Sequence, residues 1–369
     1  MSDNLFRFCD EIGPAKILHV HNPAAGLKAI IVVDNIAAGP AIGGTRMEPD
    51  VTLEECLRLA RAMTLKNAAA GLPHGGAKSV IVGDPAMAPH RKEQIIRAFA
   101  RAIEKTVSYI PGPDMGTNEQ AMAWVKDEIG RAVGLPREIG GIPLDEIGAT
   151  GFGVAVAADV AQDFCGLTLK DARLVVQGFG AVGIHAARYL AERGTILVGA
   201  SDSRTAIANP DGLDIAAVIE HKRAGHPVGT FAGGTALVGN DVIDVPCDIW
   251  VPAARPDVLR ADNVGRLDCK LVVQGANIPA TPEAETILHR RGILVVPDFI
   301  ANAGGVICGS VEYGGGTESA ALATIEEKLR VNTEVVLSAA AAENIEPRAA
   351  ALDLADTRVR RAMGWQRWH

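Results

Sequence analysis

The chain has 369 residues, of which 48% are hydrophobic and 22% charged, and its formal net charge is −8. This length and composition predict a globular protein of about two domains. The acidic charge and the 4% aromatic content argue against a nucleic-acid partner, which needs a basic surface and stacking side chains. No segment approaches the roughly 20 apolar residues of a membrane span, so we expect no membrane partner.

The six cysteines are widely spaced and form no Cys-x-x-Cys motif. We therefore expect neither a disulfide framework nor a metal site. Reduced thiols are the simplest interpretation, and they predict a cytoplasmic, enzyme-sized protein.

The first third of the chain alternates between strands and helices, which is typical of an α/β fold. Residues 16–21 and 27–33 have the composition of strands. Thr52 and Glu55 form a capping box for a helix whose apolar face ends near residue 66. The pattern then predicts a strand at 79–82 and a helix at about 92–108.

Two lysines stand in apolar surroundings. Lys66 ends the predicted helix, and Lys78 follows two glycines just before an apolar strand. A buried ammonium group is costly unless it is paired or its pKa is lowered, although a flexible stem could also carry either charge to water. Asp114 lies in a turn-rich segment before a helix that Thr117 and Gln120 would cap. The lysines and this carboxylate together predict an acid/base site for an anionic substrate.

A boundary is predicted at 134–148, where Gly, Pro and charged residues are frequent. After it, the sequence predicts a strand, a G-x-G-x-x-G turn at 178–183, a helix and a second strand. In this order the glycines indicate dinucleotide binding. Gly178 permits the tight turn, Gly180 lets a pyrophosphate approach the backbone, and Gly183 lets the helix pack on the strand.

Three further strands, at 249–251, 271–273 and 293–296, complete the pattern of a doubly wound parallel sheet. Asp202 follows the second strand of the dinucleotide motif. There its carboxylate could accept hydrogen bonds from the adenosine ribose and repel a 2′-phosphate, which predicts NAD as the cofactor. Arg204 leaves NADP open as an alternative, because an arginine could bind that phosphate.

Several motifs resemble those of the amino acid dehydrogenases that act on glutamate, leucine, phenylalanine or valine. The resemblance covers about residues 15 to 315. Three motifs resemble the leucine branch, at 43–47, 63–71 and 75–78. Three others are closer to the glutamate branch, at 113–124, 275–284 and 302–306.

This resemblance implies a two-domain α/β fold. An N-terminal α/β substrate domain would span 1–140 and be completed by C-terminal helices at about 330–369. A Rossmann-type, doubly wound dinucleotide-binding domain would span 141–330. The family's domains lie on either side of a cleft that closes, and its members form homo-oligomers through the first domain, so we expect both here.

The resemblance also implies roles for individual residues. Lys66 would bind the substrate α-carboxylate, Lys78 would activate water, and Asp114 would move protons to and from the amine nitrogen. Asn302 would hydrogen-bond the substrate or cofactor near the reacting carbon. The other expected contacts are Ile42, Gly43, Gly112, Val306 and Gly309 for substrate, and Thr150, Gly178, Phe179, Gly180, Ala181, Val182, Gly183, Asp202, Ala253 and Asn277 for cofactor.

The implied reaction is the reversible conversion of an L-amino acid, water and NAD(P)⁺ into a 2-oxo acid, ammonium and NAD(P)H. Ile42 and Gly309 stand where glutamate enzymes place a lysine and a serine, so a γ-carboxylate would lack a partner. With Val306, the glycines at 112 and 309 leave room for a large side chain. We therefore expect an apolar substrate, branched or aromatic.

Three other functions remain as alternatives. The chain could be a glutamate dehydrogenase, or a dinucleotide-binding regulator without turnover. Retention of both lysines and the aspartate argues against the regulator, because a binding module needs no proton transfer. A 2-hydroxy acid dehydrogenase would be expected to use a histidine base, for which His74 is the only histidine near the glycine-lysine motif.

Overall fold

The computed structural model describes residues 6–367, which form two compact α/β units. The first comprises residues 6–143, 306–321 and 352–367, and the second comprises Leu144–Gly305 and Leu322–Ala351. The predicted two-domain α/β fold is confirmed. Within the described residues, every helix is too short or too polar to span a bilayer.

The first unit contains a five-stranded mixed sheet. Its elements are β1 (Lys16–Asn22), β2 (Leu27–Asn35), β3 (Ala41–Glu48), α1 (Leu53–Ala69), β4 (Gly76–Val82), α2 (Pro89–Ala102), β5 (Tyr109–Pro113) and α3 (Glu119–Ile129). The strand order is β1-β2-β4-β3-β5. Strands β3, β4 and β5 are parallel to one another, so their carboxyl ends lie at the same edge of the sheet.

Alternation along the central strands divides the core between the two faces of this sheet. Val32 and Val80 pack with α1 on one face. Ile31 and Ile81 pack with α2 and α3 on the other. Since Lys78 is two residues before Val80, its side chain leaves β4 on the face that α1 covers.

The second unit contains a seven-stranded sheet in the order β12-β11-β10-β6-β7-β8-β9. Its strands are β6 (Arg173–Gln177), β7 (Ile196–Ser201), β8 (Ala206–Ala208), β9 (Thr235–Leu237), β10 (Ile249–Pro252), β11 (Leu271–Val273) and β12 (Leu294–Val296). Its helices are α4 (Leu144–Ile147), α5 (Ala149–Ala161), α6 (Ala181–Ala191), α7 (Ile215–Arg223), α8 (Pro282–Arg290) and α9 (Asp298–Ala301). The strands β12, β11, β10, β6 and β7 are parallel, as the sequence predicts for a doubly wound fold.

Three further helices close the chain: α10 (Gly304–Tyr313), α11 (Glu318–Glu343) and α12 (Pro347–Met363). Here the compact units differ from the predicted domains. Residues 322–351 group with the second unit, where Arg330 pairs with Asp159 and Thr286 donates to Glu346. The domain bounds of 1–140 with 330–369 and of 141–330 stay predictions, and residues 1–5 and 368–369 lie outside the described part.

Two elements near the candidate site differ from their predicted bounds. Strand β4 begins at Gly76 rather than at residue 79, so Lys78 lies inside a strand and not before it. Helix α2 ends at Ala102, earlier than predicted. The guanidinium of Arg131 binds the carbonyl oxygens of Ile103, Thr106 and Tyr109, which stabilises the chain leaving this helix.

A buried polar network joins the start of α12 to the second unit. Arg348 donates to both carboxylate oxygens of Glu285 at 2.5 and 2.8 Å and to Asp298 at 2.9 Å. It also donates to the amide oxygen of Gln274, and the amide nitrogen of Gln274 donates to Glu285. Asp298 in turn accepts the N–H of Ile278, so the network holds the loop that follows β11.

We predict that Arg348→Met destabilises the second unit. It would leave the buried carboxylates of Glu285 and Asp298 without their cation, a change that typically costs about 3–5 kcal/mol. Urea unfolding at a fixed protein concentration measures this as a lower midpoint. Arg360→Met is the matched control on the same helix, because its partners Asp356 and Glu11 lie at the surface. Equal midpoints for the two variants would contradict the assignment.

Candidate active site

The structure brings Lys78 and Asp114 into direct contact, Nζ to Oδ2. Lys78 projects from the central strand β4 and is 5% exposed. Asp114 directly follows β5, at the sheet edge where the parallel strands end. Two groups that stand 36 positions apart in the sequence thus form one ion pair in a largely dry setting.

Thr117 fixes the loop that carries Asp114. Its hydroxyl donates to the carbonyl of Thr45 at 2.7 Å and accepts the N–H of Asp114 at 2.9 Å. The predicted capping box is therefore wrong, since Thr117 is used inside the loop and Asn118 caps α3 by accepting the N–H of Ala121. Both residues have side chains that cap helices, and the tertiary bond to Thr45 decides between them.

Gly44 makes room for the Lys78–Asp114 contact. A Cβ atom at this position would lie 2.7 Å from Oδ2 of Asp114 and 3.1 Å from Nζ of Lys78. Any larger residue would push the two charged groups apart. Gly43, the predicted substrate contact, is its neighbour on β3, and its carbonyl accepts a hydrogen bond from the buried Tyr109 hydroxyl at 3.2 Å.

Arg46 belongs to this site, although the sequence analysis did not identify it. Its guanidinium lies 3.4 Å from Oδ1 of Asp114 and 2.5 Å from Oε1 of Glu55. Its side chain is only 16% exposed. An arginine between the buried residues Thr45 and Met47 on a strand was the available signal.

These surroundings change the acidity of Lys78. The pKa of Lys78 is lowered to about 7. Burial is the largest cause, and the positive charges of Arg46 and Lys66 lower it further. Its amine is therefore available in the neutral form near neutral pH, as a proton acceptor requires.

Lys66 lies in the last turn of α1 and is half-buried. The next residue, Asn67, fixes that turn to the glycine-rich segments. Its amide nitrogen donates to the carbonyl of Gly75 at 2.7 Å and to that of Ile42 at 3.4 Å. These bonds place a second cation close enough to Lys78 to affect its titration.

An apolar cluster consists of Ile42 on β3, Ile110 on β5 and Val133 in the loop after α3. Val133 was not predicted. A Cβ on Gly112 would lie 3.2 Å from its side chain, and one on Gly309 would lie 3.6 Å away. The space beside both glycines is thus bordered by Val133, which leaves less room than the glycines alone suggest.

Glu312 holds the segment that carries Val133. Its carboxylate accepts the N–H groups of Leu135 at 3.2 Å and Ile142 at 2.8 Å. Burial raises the pKa of Glu312, and the backbone hydrogen bonds oppose that effect. Val306 lies on the same helix, α10, and is half-buried.

In the second unit, the glycine turn has the geometry that a dinucleotide pyrophosphate requires. Gly178 has φ +95°, and a Cβ there would lie 2.6 Å from the backbone of Ala254. A Cβ on Gly180 would meet no described atom within 4 Å, so open space lies beside the start of α6. Helix α6 begins at Ala181 without a side-chain cap, and Val182 and Gly183 complete its first turn. These residues and the buried Phe179 stay predicted cofactor contacts.

Asp202 is placed differently from the expectation. Its Oδ1 accepts the N–H groups of Arg204 and Thr205, both at 2.9 Å. Its Oδ2 accepts the N–H of Val228 at 3.0 Å and the ammonium of Lys222 at 2.5 Å. A ribose hydroxyl would compete with these donors for the carboxylate, and the preference for NAD over NADP stays a prediction.

The remaining predicted residues lie at the carboxyl edge of the second sheet or on α5. Asn302 donates to Oδ1 of Asn277 at 2.9 Å, and its own Oδ1 has no hydrogen-bond partner among residues 6–367. The backbone N–H of Ala253 donates to the carbonyl oxygen of Gln177 at 2.7 Å. Thr150 lies in the first turn of α5, where its hydroxyl would be 3.1 Å from a Cβ on Gly305.

Comparison with known families gives two matches that together cover most of the chain. Residues 140–367 match the model of the glutamate/leucine/phenylalanine/valine dehydrogenases. Residues 14–131 match the model of the dimerisation domain of the same dehydrogenases.

Individual relatives match at similar levels. A glutamate dehydrogenase of Aeropyrum pernix is 38% identical over 90% of this chain and 85% of its own length. An NADP(+)-dependent glutamate dehydrogenase of Pyrobaculum calidifontis is 41% identical over 76% of this chain and 71% of its own.

Solved structures agree with the fold. A hetero-hexameric glutamate dehydrogenase from Thermus thermophilus, in a leucine-bound form, has TM-score 0.84 and 30% identity over 95% of this chain and 89% of that one. An L-tryptophan dehydrogenase from Nostoc punctiforme has TM-score 0.77 and 26% identity over 97% and 99%.

We predict that a small amine-selective reagent modifies Lys78 with a pH dependence centred near 7, because only the neutral amine reacts. Mass spectrometry of the modified peptides measures the rate at each pH. The rate of modification of the exposed Lys105 is the internal reference for the reactivity of the reagent at each pH. Identical pH curves for the two lysines would contradict the lowered pKa of Lys78.

Proposed function

Because this chain belongs to the glutamate/leucine/phenylalanine/valine dehydrogenase family and is an NAD(P)-dependent amino acid dehydrogenase, we propose that its substrate is an L-amino acid with an apolar side chain. The observation that carries this proposal is the cluster of Ile42, Ile110 and Val133. Two of its members lie on the strands that carry Gly44 and lead to Asp114, and Val133 lies in the loop after α3. A branched or aromatic side chain would bury apolar surface there.

Three charged residues of the first unit have roles in this proposal. Lys66 binds the α-carboxylate of the substrate, which orients the α-carbon. NAD(P)⁺, when bound, would supply the acceptor for the hydride on that carbon, and loss of the hydride would leave the substrate as an iminium. Lys78, in its neutral form, takes a proton from the water that attacks the iminium carbon. Asp114 transfers protons to and from the departing nitrogen.

The overall reaction balances with one released proton. An L-amino acid, water and NAD(P)⁺ give a 2-oxo acid, ammonium, NAD(P)H and H⁺. The contact of Asp114 with both Lys78 and Arg46 supports the proton-transfer roles, because it keeps a base, an acid and a compensating charge within hydrogen-bond reach.

Residues of the second unit hold the cofactor in this proposal. The turn from Gly178 to Gly183 would receive the pyrophosphate, and Thr150, Ala253 and Asn277 would contact the nicotinamide side. Asn302 supports the proposal through its bond to Asn277 and through the buried amide oxygen that has no partner among the described residues.

Glutamate is the second candidate substrate, and the named relatives favour it. Both curated relatives described above are glutamate dehydrogenases, at 38% and 41% identity. Against it stands the apolar cluster, where a γ-carboxylate would lose several kcal/mol without a cation. The tryptophan dehydrogenase among the structural neighbours supports an apolar substrate instead.

We also propose that the enzyme is a homo-oligomer, because residues 14–131 match a model described as a dimerisation domain. The cytoplasmic location expected from the cysteine spacing stays a prediction.

Lys78→Ala is expected to fold but to lose about 10²- to 10⁴-fold in turnover, since a positioned base typically supplies that much. Lys66→Ala is expected mainly to raise the KM for the amino acid. Steady-state kinetics of NAD(P)H formation measure both effects, and Lys105→Ala at the surface is the control. A Lys78→Ala enzyme with a near-normal rate would overturn the mechanism.

A substrate panel separates the two candidates. L-leucine, L-valine and L-phenylalanine are expected to give higher kcat/KM than L-glutamate, because the apolar cluster offers no partner for a second carboxylate. The panel should be run with both nicotinamide cofactors. Efficient turnover of L-glutamate, with no activity on the other three, would establish the second candidate.

A further inference from the structure

The carboxylate of Asp202 has its hydrogen-bonding capacity filled by the protein. Each of its two oxygens accepts two donors: the backbone N–H groups of Arg204 and Thr205 on Oδ1, and Val228 N–H with Lys222 Nζ on Oδ2. A carboxylate offers about four lone-pair sites. None is left for the two hydroxyl groups of an adenosine ribose.

The same contacts cancel the charge of Asp202. Its side chain is 5% exposed, and the ammonium of Lys222 lies 2.5 Å from Oδ2. Burial opposes ionisation, but the bonds from Lys222 and the three backbone N–H groups hold the pKa of Asp202 well below its usual range. A charge paired at this distance exerts little net repulsion on a phosphate nearby.

A positive group remains next to the pair. Arg204 and Ser203 are exposed in the turn that follows β7. No described carboxylate forms an ion pair with the guanidinium of Arg204 within the part of the chain that the structure covers. Counting Asp202 as −1 and Lys222 and Arg204 as +1 each, the turn has a net charge of +1.

We propose that Lys222 is a specificity-determining residue for the cofactor: by neutralising Asp202 it lets the turn after β7 bind the 2′-phosphate of NADP, with Arg204 and Ser203 as its partners. In the doubly wound fold this turn follows the second strand of the dinucleotide motif, where the adenosine ribose lies. The enzyme therefore uses NADP at least as well as NAD. This inference rests on the NAD(P) dependence and not on the identity of the amino acid.

Lys222 has this effect because of where α7 ends. It lies in the last turn of α7, twenty positions after Asp202, and the following segment delivers the N–H of Val228 to the same oxygen. An arginine at position 222 would keep the positive charge. A methionine would keep the aliphatic part of the side chain and remove the charge. Without the cation, Asp202 would regain the ability to repel a phosphate and bind a ribose hydroxyl.

The test compares the binding of adenosine 2′,5′-bisphosphate with that of 5′-AMP, by titration calorimetry on the full chain. The wild type is expected to bind the bisphosphate at least as tightly. Lys222→Met is expected to shift the ratio of dissociation constants about tenfold or more towards 5′-AMP, since hydrogen bonds to charged groups have that magnitude. Lys222→Arg should keep the wild-type ratio.

Two further variants make the result specific. Lys222→Met with Asp202→Asn should restore bisphosphate binding, because the uncompensated carboxylate is then removed. Lys270→Met is the control, as its ion pair with Asp248 lies at the surface of the same unit. Arg204→Met should weaken only the bisphosphate, and it tests the proposal even where Lys222→Met fails to fold.

Two results would overturn the proposal. One is a wild type that prefers 5′-AMP more than about tenfold, a margin that one hydrogen bond to a charged group supplies. The other is a ratio that neither Lys222→Met nor Arg204→Met changes. Binding of these nucleotides does not depend on the amino acid, so a wrong substrate assignment would leave both outcomes unaffected.

Discussion

The removal of one ammonium group from water is the constraint on which the candidate site depends. Lys78 projects from the middle strand of the first sheet, under α1, where an unpaired charge would be very costly. Asp114 reaches it from the end of the parallel strand β5, and Arg46 reaches Asp114 from β3. Three neighbouring strands thus supply one group each, and the order of the strands in the sheet makes their meeting possible.

The details around this pair follow from that requirement. Gly44 has no side chain because any Cβ would occupy the space between the two charges. Thr117 does not cap the helix because its hydroxyl bonds to the carbonyl of Thr45 and to the N–H of Asp114 instead. Asn67 ties the helix that carries Lys66 to the glycine segment before Lys78, through its hydrogen bond to the carbonyl of Gly75.

Sequence reasoning identified groups whose local surroundings are unusual, and it missed groups that are recruited from a distance. Lys78, Asp114 and the glycine turn at 178 were predicted because neighbours within a few positions already indicate burial or tight backbone turns. Val133 and Glu312 lie on segments whose contact depends on the tertiary fold. The ion pair of Asp202 likewise could not be predicted from the sequence, because its partner Lys222 lies on a helix twenty positions later.

A fold that lowers the pKa of a buried lysine makes the stability of the whole molecule depend on pH. The amine of Lys78 titrates at about 7 when folded, against an ordinary value of 10.5. Between these values the unfolded chain binds a proton that the folded chain does not, so this residue lowers the free energy of unfolding progressively as pH falls from 10.5 to 7. The loss at neutral pH is on the order of a few kcal/mol, a sizeable part of the net stability of a domain. The lowered pKa that makes Lys78 a candidate base therefore reduces the free energy of unfolding. The reduction is largest at and below neutral pH and is absent only in strong alkali.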